Sequence, residues 1–301
     1  MSEELIRHGC WLSLPGTLPF QLSGQLTPGR YALEASVSSQ FISGLLFALP
    51  LLPGDSELHL TGRAESFPYV ELTRAMLEAF EVQAAFEGSS FTIPGRQAYR
   101  SPGRIRVEGD WSNAAFWLAA GAIGEGSLAC TGLDPQSRQG DRMIMDLLTR
   151  FGARVKREAP AVTASGGKLE GITIDARDIP DLVPILAVIG AVAEGSTVIR
   201  HAGRLRTKES DRLAAITAAL SGLGADISET GDGLIIKGGA PLTGGSVSSQ
   251  GDHRIAMAAA VAATVCAEPV LIEGAEAVSK SYPGFFDDLR RLGGSAEAIK
   301  T

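Results

Sequence analysis

The sequence predicts an α/β (α+β) protein assembled from repeated units of about 71 residues with buried helices. Three observations carry this reading. Polar-capped helix starts open at Ser38, Asp110, Asp181 and Asp252, spaced by 72, 71 and 71 residues, and each runs into an apolar, alanine-rich stretch. A second helix in each unit closes on glycine or a near equivalent and continues into a strand. Between the two helices lies a short segment of alternating polarity, the mark of a half-buried strand.

Taken in order, residues 5–10 match the tail of a second helix, so the chain is expected to open inside a unit. The next unit starts at Ser38-Ser39-Gln40, has its strand at 57–61 and closes its second helix over 76–82. The third starts at Asp110-Trp111-Ser112-Asn113, with its strand at 127–131 and its closure at 147–153. Hairpin-like strands should follow, among them residues 171–175. The fourth begins at Asp181 after Ile179-Pro180, with a strand at 197–200, a helix closing at 220–225 and a hairpin strand at 233–237. The last begins at Asp252-His253-Arg254, continues through 255–265 with apolar residues nearly all round, and has a strand at 270–273. It ends at 289–294 without trailing strands. Ser and Asp at such starts satisfy free helix N–H groups. Helices apolar on every side belong in an interior.

Composition bounds what the protein can do. The 301 residues suggest roughly two domains, and 45% apolar against 20% charged residues permits sizeable cores. A net charge of −7 disfavours nonspecific nucleic-acid binding, which needs a broad basic surface. No long apolar run predicts a membrane span, and the acidic start Met1-Ser2-Glu3-Glu4 does not resemble a signal peptide. Cys10, Cys130 and Cys266 are an odd number without metal-type spacing, which fits a reduced, cytoplasmic compartment. The four histidines form no metal-binding pattern, and no glycine-rich nucleotide loop is followed by Lys-Ser or Lys-Thr. Neither metal nor cofactor is expected.

The charged residues gather in the loops before helices. Residues 200–212 hold Arg200, His201, Arg204, Arg206, Lys208 and Arg212 in an otherwise acidic protein. Lys208 and Arg212, four apart at a helix start, are expected to share a face. Like charges there repel and oppose the helix dipole, and a bound anion would relieve both penalties. Asp252-His253-Arg254 again sets a cation where helix N–H groups favour an anion. Read alone, these segments fit a solvated basic face as well as an anion site. Asp181 and Ser38 fit helix caps as well as substrate contacts, and Asp252 fits an N-cap with Arg254 in a surface pair.

Together the motifs resemble the enolpyruvyl transferase family, most nearly its 5-enolpyruvylshikimate-3-phosphate synthases. The resemblance rests on Ser36-Val37-Ser38-Ser39-Gln40-Phe41, Val107-Glu108-Gly109-Asp110, Ile179-Pro180-Asp181, Lys208-Glu209-Ser210-Asp211-Arg212, Gly251-Asp252-His253-Arg254-Ile255-Ala256-Met257 and Lys280-Ser281-Tyr282-Pro283, in that order. It covers essentially the whole chain. It implies two lobes built from βαβαββ units: a partial lobe over 1–108 and a nearly complete one over 109–301. It also implies that an amino-terminal segment of the family, with a Lys-Ser pair and a glycine-rich loop, lies outside this sequence. The chain alone is therefore expected to be poorly active, and to self-associate through its incomplete lobe.

The implied reaction moves the enolpyruvyl group of phosphoenolpyruvate to the 5-hydroxyl of shikimate 3-phosphate through a tetrahedral ketal. The resemblance assigns Asp181, Glu209 and Lys208 to proton transfer. It assigns Ser38, Ser39, Gln40, Ser66, Tyr69, Asp181, Lys208 and Arg204 to shikimate 3-phosphate. Arg204 stands where some members carry Asn or another polar residue. Gln40, Arg212, His253, Arg254 and Lys280 are assigned to phosphoenolpyruvate. A non-catalytic anion-binding remnant of the same fold is the alternative.

Overall fold

A computed structural model describes residues 1–13, 19–62, 65–158 and 161–299. The chain divides into two compact units, residues 1–107 with 138–140, and residues 108–137 with 141–301.

In the first unit, helix α1 (Ser2–Arg7) leads to an antiparallel pair, β1 (Cys10–Leu12) and β2 (Leu22–Gly24). A complete repeat follows: β3 (Arg30–Glu34), α2 (Ser39–Ala48), β4 (Ser56–Thr61), α3 (Phe67–Ala79), β5 (Ala85–Glu87) and β6 (Ser90–Ile93). The sheet order is β3-β4-β6-β5, with β3 and β4 parallel and the other pairings antiparallel. Alternation sends Tyr31 and Leu33 of β3, and Leu58 and Leu60 of β4, to one face. They meet Ile42, Leu45 and Leu46 of α2 and Val70 of α3 in one apolar core.

The second unit contains α4 (Trp111–Ile123), β7 (Ser127–Thr131), α5 (Ile144–Phe151), β8 (Arg154–Glu158) and β9 (Ala161–Ser165), then β10 (Thr173–Asp175), α6 (Val183–Val192), β11 (Gly195–Arg200), α7 (Arg212–Gly222), β12 (Asp226–Glu229) and β13 (Leu234–Gly238). It ends with β14 (Gly245–Ser248), α8 (His253–Ala263), β15 (Val270–Glu273) and α9 (Phe285–Arg291). Its sheets run β7-β9-β8, β10-β11-β13-β12 and β14-β15. Helices α4, α6 and α8 are buried on nearly every side and pack against one another. That is why they lack polar faces. No helix among the described residues is long and apolar enough to cross a membrane.

Second helices close through a left-handed residue. Gly9, Gly152, Gly224 and Gly293 have φ of 96°, 103°, 91° and 97°. The near equivalent at 76–82 is Glu81, with φ of 59°. One strand reading is corrected. Residues 171–175 contain β10, which pairs parallel with β11 rather than in a hairpin. The antiparallel hairpin of that repeat is β8–β9. Strand β10 therefore opens a new βαβ crossover through α6, whose apolar sequence covers the sheet.

This topology locates the loops. Strands β3 and β4, β10 and β11, and β14 and β15 form parallel pairs. Each of these strands is followed by a loop leading toward a helix, so both loops of a pair leave the same sheet edge. In α/β sheets the carboxyl ends of parallel strands are where ligand sites form.

Candidate active site

In the second unit, Asp181 follows β10, the 208–212 segment follows β11, the 252–254 segment follows β14 and Lys280 follows β15. The structure joins them through one arginine. Arg212 is the first residue of α7 and is 1% exposed. Its Nε donates to Asp252 Oδ2 at 2.7 Å, Nη1 to Asp181 Oδ1 at 2.8 Å and Nη2 to Glu209 Oε2 at 2.7 Å. Arg254 Nη2 donates to the other oxygen of Asp181 at 3.1 Å, and Lys280 Nζ to the other oxygen of Glu209 at 2.7 Å. Three cations thus hold three carboxylates, which lets so much charge sit on an apolar bundle.

Asp252 has two tasks. Its Oδ1 caps α8 by accepting from Arg254 N at 2.9 Å, and its Oδ2 accepts from Arg212 and from Ser210 Oγ. Asp181 lies in a 3-10 turn, Pro180–Leu182, and α6 begins without a side-chain cap. Asp181 is therefore no helix cap; its carboxylate pairs with Arg212 and Arg254 instead. Ser38 and Asp110 do cap their helices, accepting from Gln40 N and from Ser112 N respectively.

Electrostatics separate the acids. Desolvation pushes the Glu209 carboxyl up, but the Lys280 hydrogen bond and the Arg212 charge outweigh it and bring the pKa to about 2. Desolvation and the neighbouring Arg254 hold His253 below its ordinary value, favouring the neutral ring. Arg212 is desolvated too, but its bond to Asp252 and the charges of Asp252, Asp181 and Glu209 raise its pKa. Arg254 keeps Nε and Nη1 buried without a hydrogen-bond partner among the described residues. Unpaired guanidinium donors beside a capped helix start are what a carboxylate or phosphate requires.

The remaining expected residues lie as follows. Lys208 is exposed and extended, at φ −88° and ψ −153°, and α7 begins only at Arg212. The shared helical face expected for Lys208 and Arg212 is therefore incorrect. Asp211 breaks the spacing by serving as N-cap, accepting from Ala214 N. Arg204 sits in the 3-10 helix Gly203–Thr207 and donates to Arg177 O at 3.3 Å. Ser38, Ser39, Gln40, Ser66 and Tyr69 belong to the first unit, where the loops before α2 and α3 leave one sheet edge. Ser39 and Ser66 are buried, and Ser66 takes a left-handed φ of 53°.

Asp141 was not legible as a site residue. It is buried, accepts from Ser112 Oγ at 2.6 Å and lies within electrostatic reach of Asp181 and Arg254. Only its place in the loop after the 127–131 strand, matching that of the Lys208 segment, could have signalled it. No cluster of His, Cys, Asp or Glu able to hold a metal ion occurs among the described residues.

The sequence matches the EPSP synthase (3-phosphoshikimate 1-carboxyvinyltransferase) family over residues 11–289. The 3-phosphoshikimate 1-carboxyvinyltransferase of Clostridium kluyveri is 48% identical over 285 residues, which are 94% of this chain and 66% of that protein. That of Clostridium acetobutylicum is 47% identical over 278 residues, 92% of this chain and 64% of that protein. The chain thus spans slightly less than two thirds of the length of these curated relatives. Among solved structures, EPSP synthase from Acinetobacter baumannii aligns with a TM-score of 0.82 at 29% identity, covering 99% of this chain and 71% of that one. The enolpyruvyl transferase NikO from Streptomyces tendae shares the fold, with a TM-score of 0.77 at 22% identity over 98% of this chain and 71% of that one.

Proposed function

The chain belongs to the EPSP synthase (3-phosphoshikimate 1-carboxyvinyltransferase) family, and from that premise we propose that it binds phosphoenolpyruvate and shikimate 3-phosphate and carries the groups that transfer the enolpyruvyl moiety to the 5-hydroxyl. The observation that carries this reading is the joining of Arg212, Arg254 and Lys280 to the two acids Asp181 and Glu209.

In the proposed mechanism, Arg212, Arg254 and Lys280 hold the carboxylate and phosphate of phosphoenolpyruvate. Asp181 accepts the proton of the 5-hydroxyl as its oxygen bonds to C2, and the methylene carbon gains a proton from Glu209 or Lys208. The resulting ketal then returns a methyl proton to the base while the C2–O bond to phosphate breaks. With its pKa at about 2, Glu209 is ionised near neutral pH and carries no proton to deliver. An anion that draws Lys280 and Arg212 away from it removes the two causes of that low value. The same binding event would thus bring Glu209 toward the range of a working acid. Shikimate 3-phosphate is assigned to Ser38, Ser39, Gln40, Ser66 and Tyr69, whose helix starts offer hydroxyls and N–H groups to a phosphate. By the family resemblance Lys208 and Arg204 of the second unit are also assigned to shikimate 3-phosphate, and His253 to phosphoenolpyruvate. The three cysteines are free, which supports a cytoplasmic setting; self-association through the first unit belongs to the same reading.

Calorimetry on the 301-residue chain tests this. Shikimate 3-phosphate should bind, and phosphoenolpyruvate should tighten it. Glu209→Gln should keep shikimate 3-phosphate binding while lowering any phosphate release by about 100-fold or more, and Asp181→Asn should weaken both. Binding of neither ligand would overturn the reading. Binding without measurable release would support the anion-binding remnant instead.

A further inference from the structure

Behind the ion-pair web stands a carboxyl for which the proposed reaction has no use. Asp141 is 2% exposed. Its Oδ2 accepts from Ser112 Oγ at 2.6 Å, and Ser112 lies in the first turn of α4, which Asp110 caps. Its Oδ1 is buried and has no hydrogen-bond partner among the described residues. Arg254 carries the complementary deficit, with Nε and Nη1 buried and unpartnered while Nη2 serves Asp181. Asp141 interacts electrostatically with Asp181, Arg254 and Asp110. A buried carboxylate with one neutral donor is poorly compensated, so its neutral form is favoured.

We propose that Asp141 is a positioning residue whose charge governs how far Arg254 is committed to the protein's own carboxylates and how far it is free to hold an anion. Neutral Asp141 leaves Arg254 shared between Asp181 and an incoming anion. Ionised Asp141 adds a second negative charge beside Arg254, which competes with the anion and repels it. It also repels the Asp181 carboxylate. The charged and titratable groups whose fields reach Asp141 are Asp181 from the 3-10 turn, Arg254 from α8 and Asp110 from the start of α4, and Ser112 supplies its hydrogen bond. Desolvation is the largest influence, followed by the Asp181 charge; the Ser112 bond and Arg254 oppose them, and the pKa reaches about 6.

The inference rests on the reading of Arg254 as an anion-holding group, but its first test needs no ligand. In the 301-residue chain labelled with 13C at aspartate carboxyls, the Asp141 resonance should titrate near pH 6, and the Asp181 resonance should inflect at the same midpoint. Asp141→Asn, which keeps an acceptor for Ser112, should abolish that inflection. Ser112→Ala removes a donor to the ionised form and should move the midpoint upward. An Asp181 resonance that ignores the Asp141 midpoint, or keeps its inflection in Asp141→Asn, overturns the proposal. The second test uses sulfate, a dianion throughout pH 5 to 8. Its affinity for the native chain should fall several-fold as pH rises through 6, and in Asp141→Asn it should stay at the acid level. A pH dependence that survives in Asp141→Asn places the control on another group, such as His253, and also overturns the proposal. Failure of sulfate to bind at any pH would count against the anion-site reading of Arg254 and so against the proposed function, while the carboxyl titration would still decide whether Asp141 and Asp181 are coupled.

Discussion

Arg212 and Asp141 are both nearly inaccessible, yet they meet opposite electrostatic fates. Arg212 has three carboxylates around it and remains charged. Asp141 has a serine, and its pKa rises from 3.8 to about 6. A folded-state pKa above the unfolded value means that the group's contribution to stability is fully present below about pH 4 and is lost as pH rises through 6. Asp141→Asn has no such loss. Relative to the native chain, it should gain stability between pH 4 and pH 7, by at most about 2–3 kcal/mol for a shift of that size. Glu209 acts in the other direction and lower down: its stabilisation is present above its ordinary carboxylate range and fades as pH falls toward 2. The urea transition of the second unit, followed in both proteins at pH 4 and pH 7, measures the Asp141 contribution. Parallel changes in the two would show that Asp141 stays ionised in the fold.

At the level of helices and strands, much was legible because each repeat punctuates its helices with specialised residues. Glycines 9, 152, 224 and 293 mark closures because only glycine enters the left-handed region without cost. At Gly152 a Cβ would also lie 2.1 Å from the Lys168 carbonyl oxygen. Glu81 occupies the equivalent position with a side chain, and so bears the strain that glycine avoids. Its partner Arg100 lies 3.6 Å away on the surface, a pair of little energetic weight. Glu81→Gly should therefore raise the stability of the first unit by about 1 kcal/mol, read as a shift in chemical-denaturation midpoint at unchanged slope. An unchanged or lowered midpoint would mean that the Glu81 side chain supplies more than its backbone strain costs. The errors have the same local origin. Asp181 looked like a cap because Asp110 and Asp252 are caps, and nothing in its neighbours announces that α6 would start without one. Lys208 was placed on a helix by its spacing, whereas Asp211 claims the N-cap and leaves Lys208 outside. For Asp141 the spacing offered only its place, 71 positions before Arg212; its burial and the influence of Arg254, 113 positions away in the sequence, are not legible there.

Across the whole molecule, the apolar residues collect into two separate cores, one around Leu58 and Phe91, the other around α4, α6 and α8. Each core belongs to one compact unit, and the ion-pair web lies wholly within the second. Separate cores allow separate cooperative transitions, which would make a single unfolding free energy ill-defined for this chain. Variants should then sort by unit. Arg212→Ala leaves the buried Asp252 without its cation, while Asp181 keeps Arg254 and Glu209 keeps Lys280, and should destabilise the second unit by about 3–5 kcal/mol. Leu58→Ala opens a cavity in the first core and should cost about 2–5 kcal/mol there. Hydrogen exchange read by mass spectrometry resolves the two. In Arg212→Ala, amides in 108–137 and 141–299 should lose protection while the strands at 30–34 and 56–61 keep theirs, and Leu58→Ala should give the converse. If either variant lowered protection throughout the chain by one common amount, the two units would be unfolding as one, and the charge web at Arg212 would be holding together more than the sheets that display it.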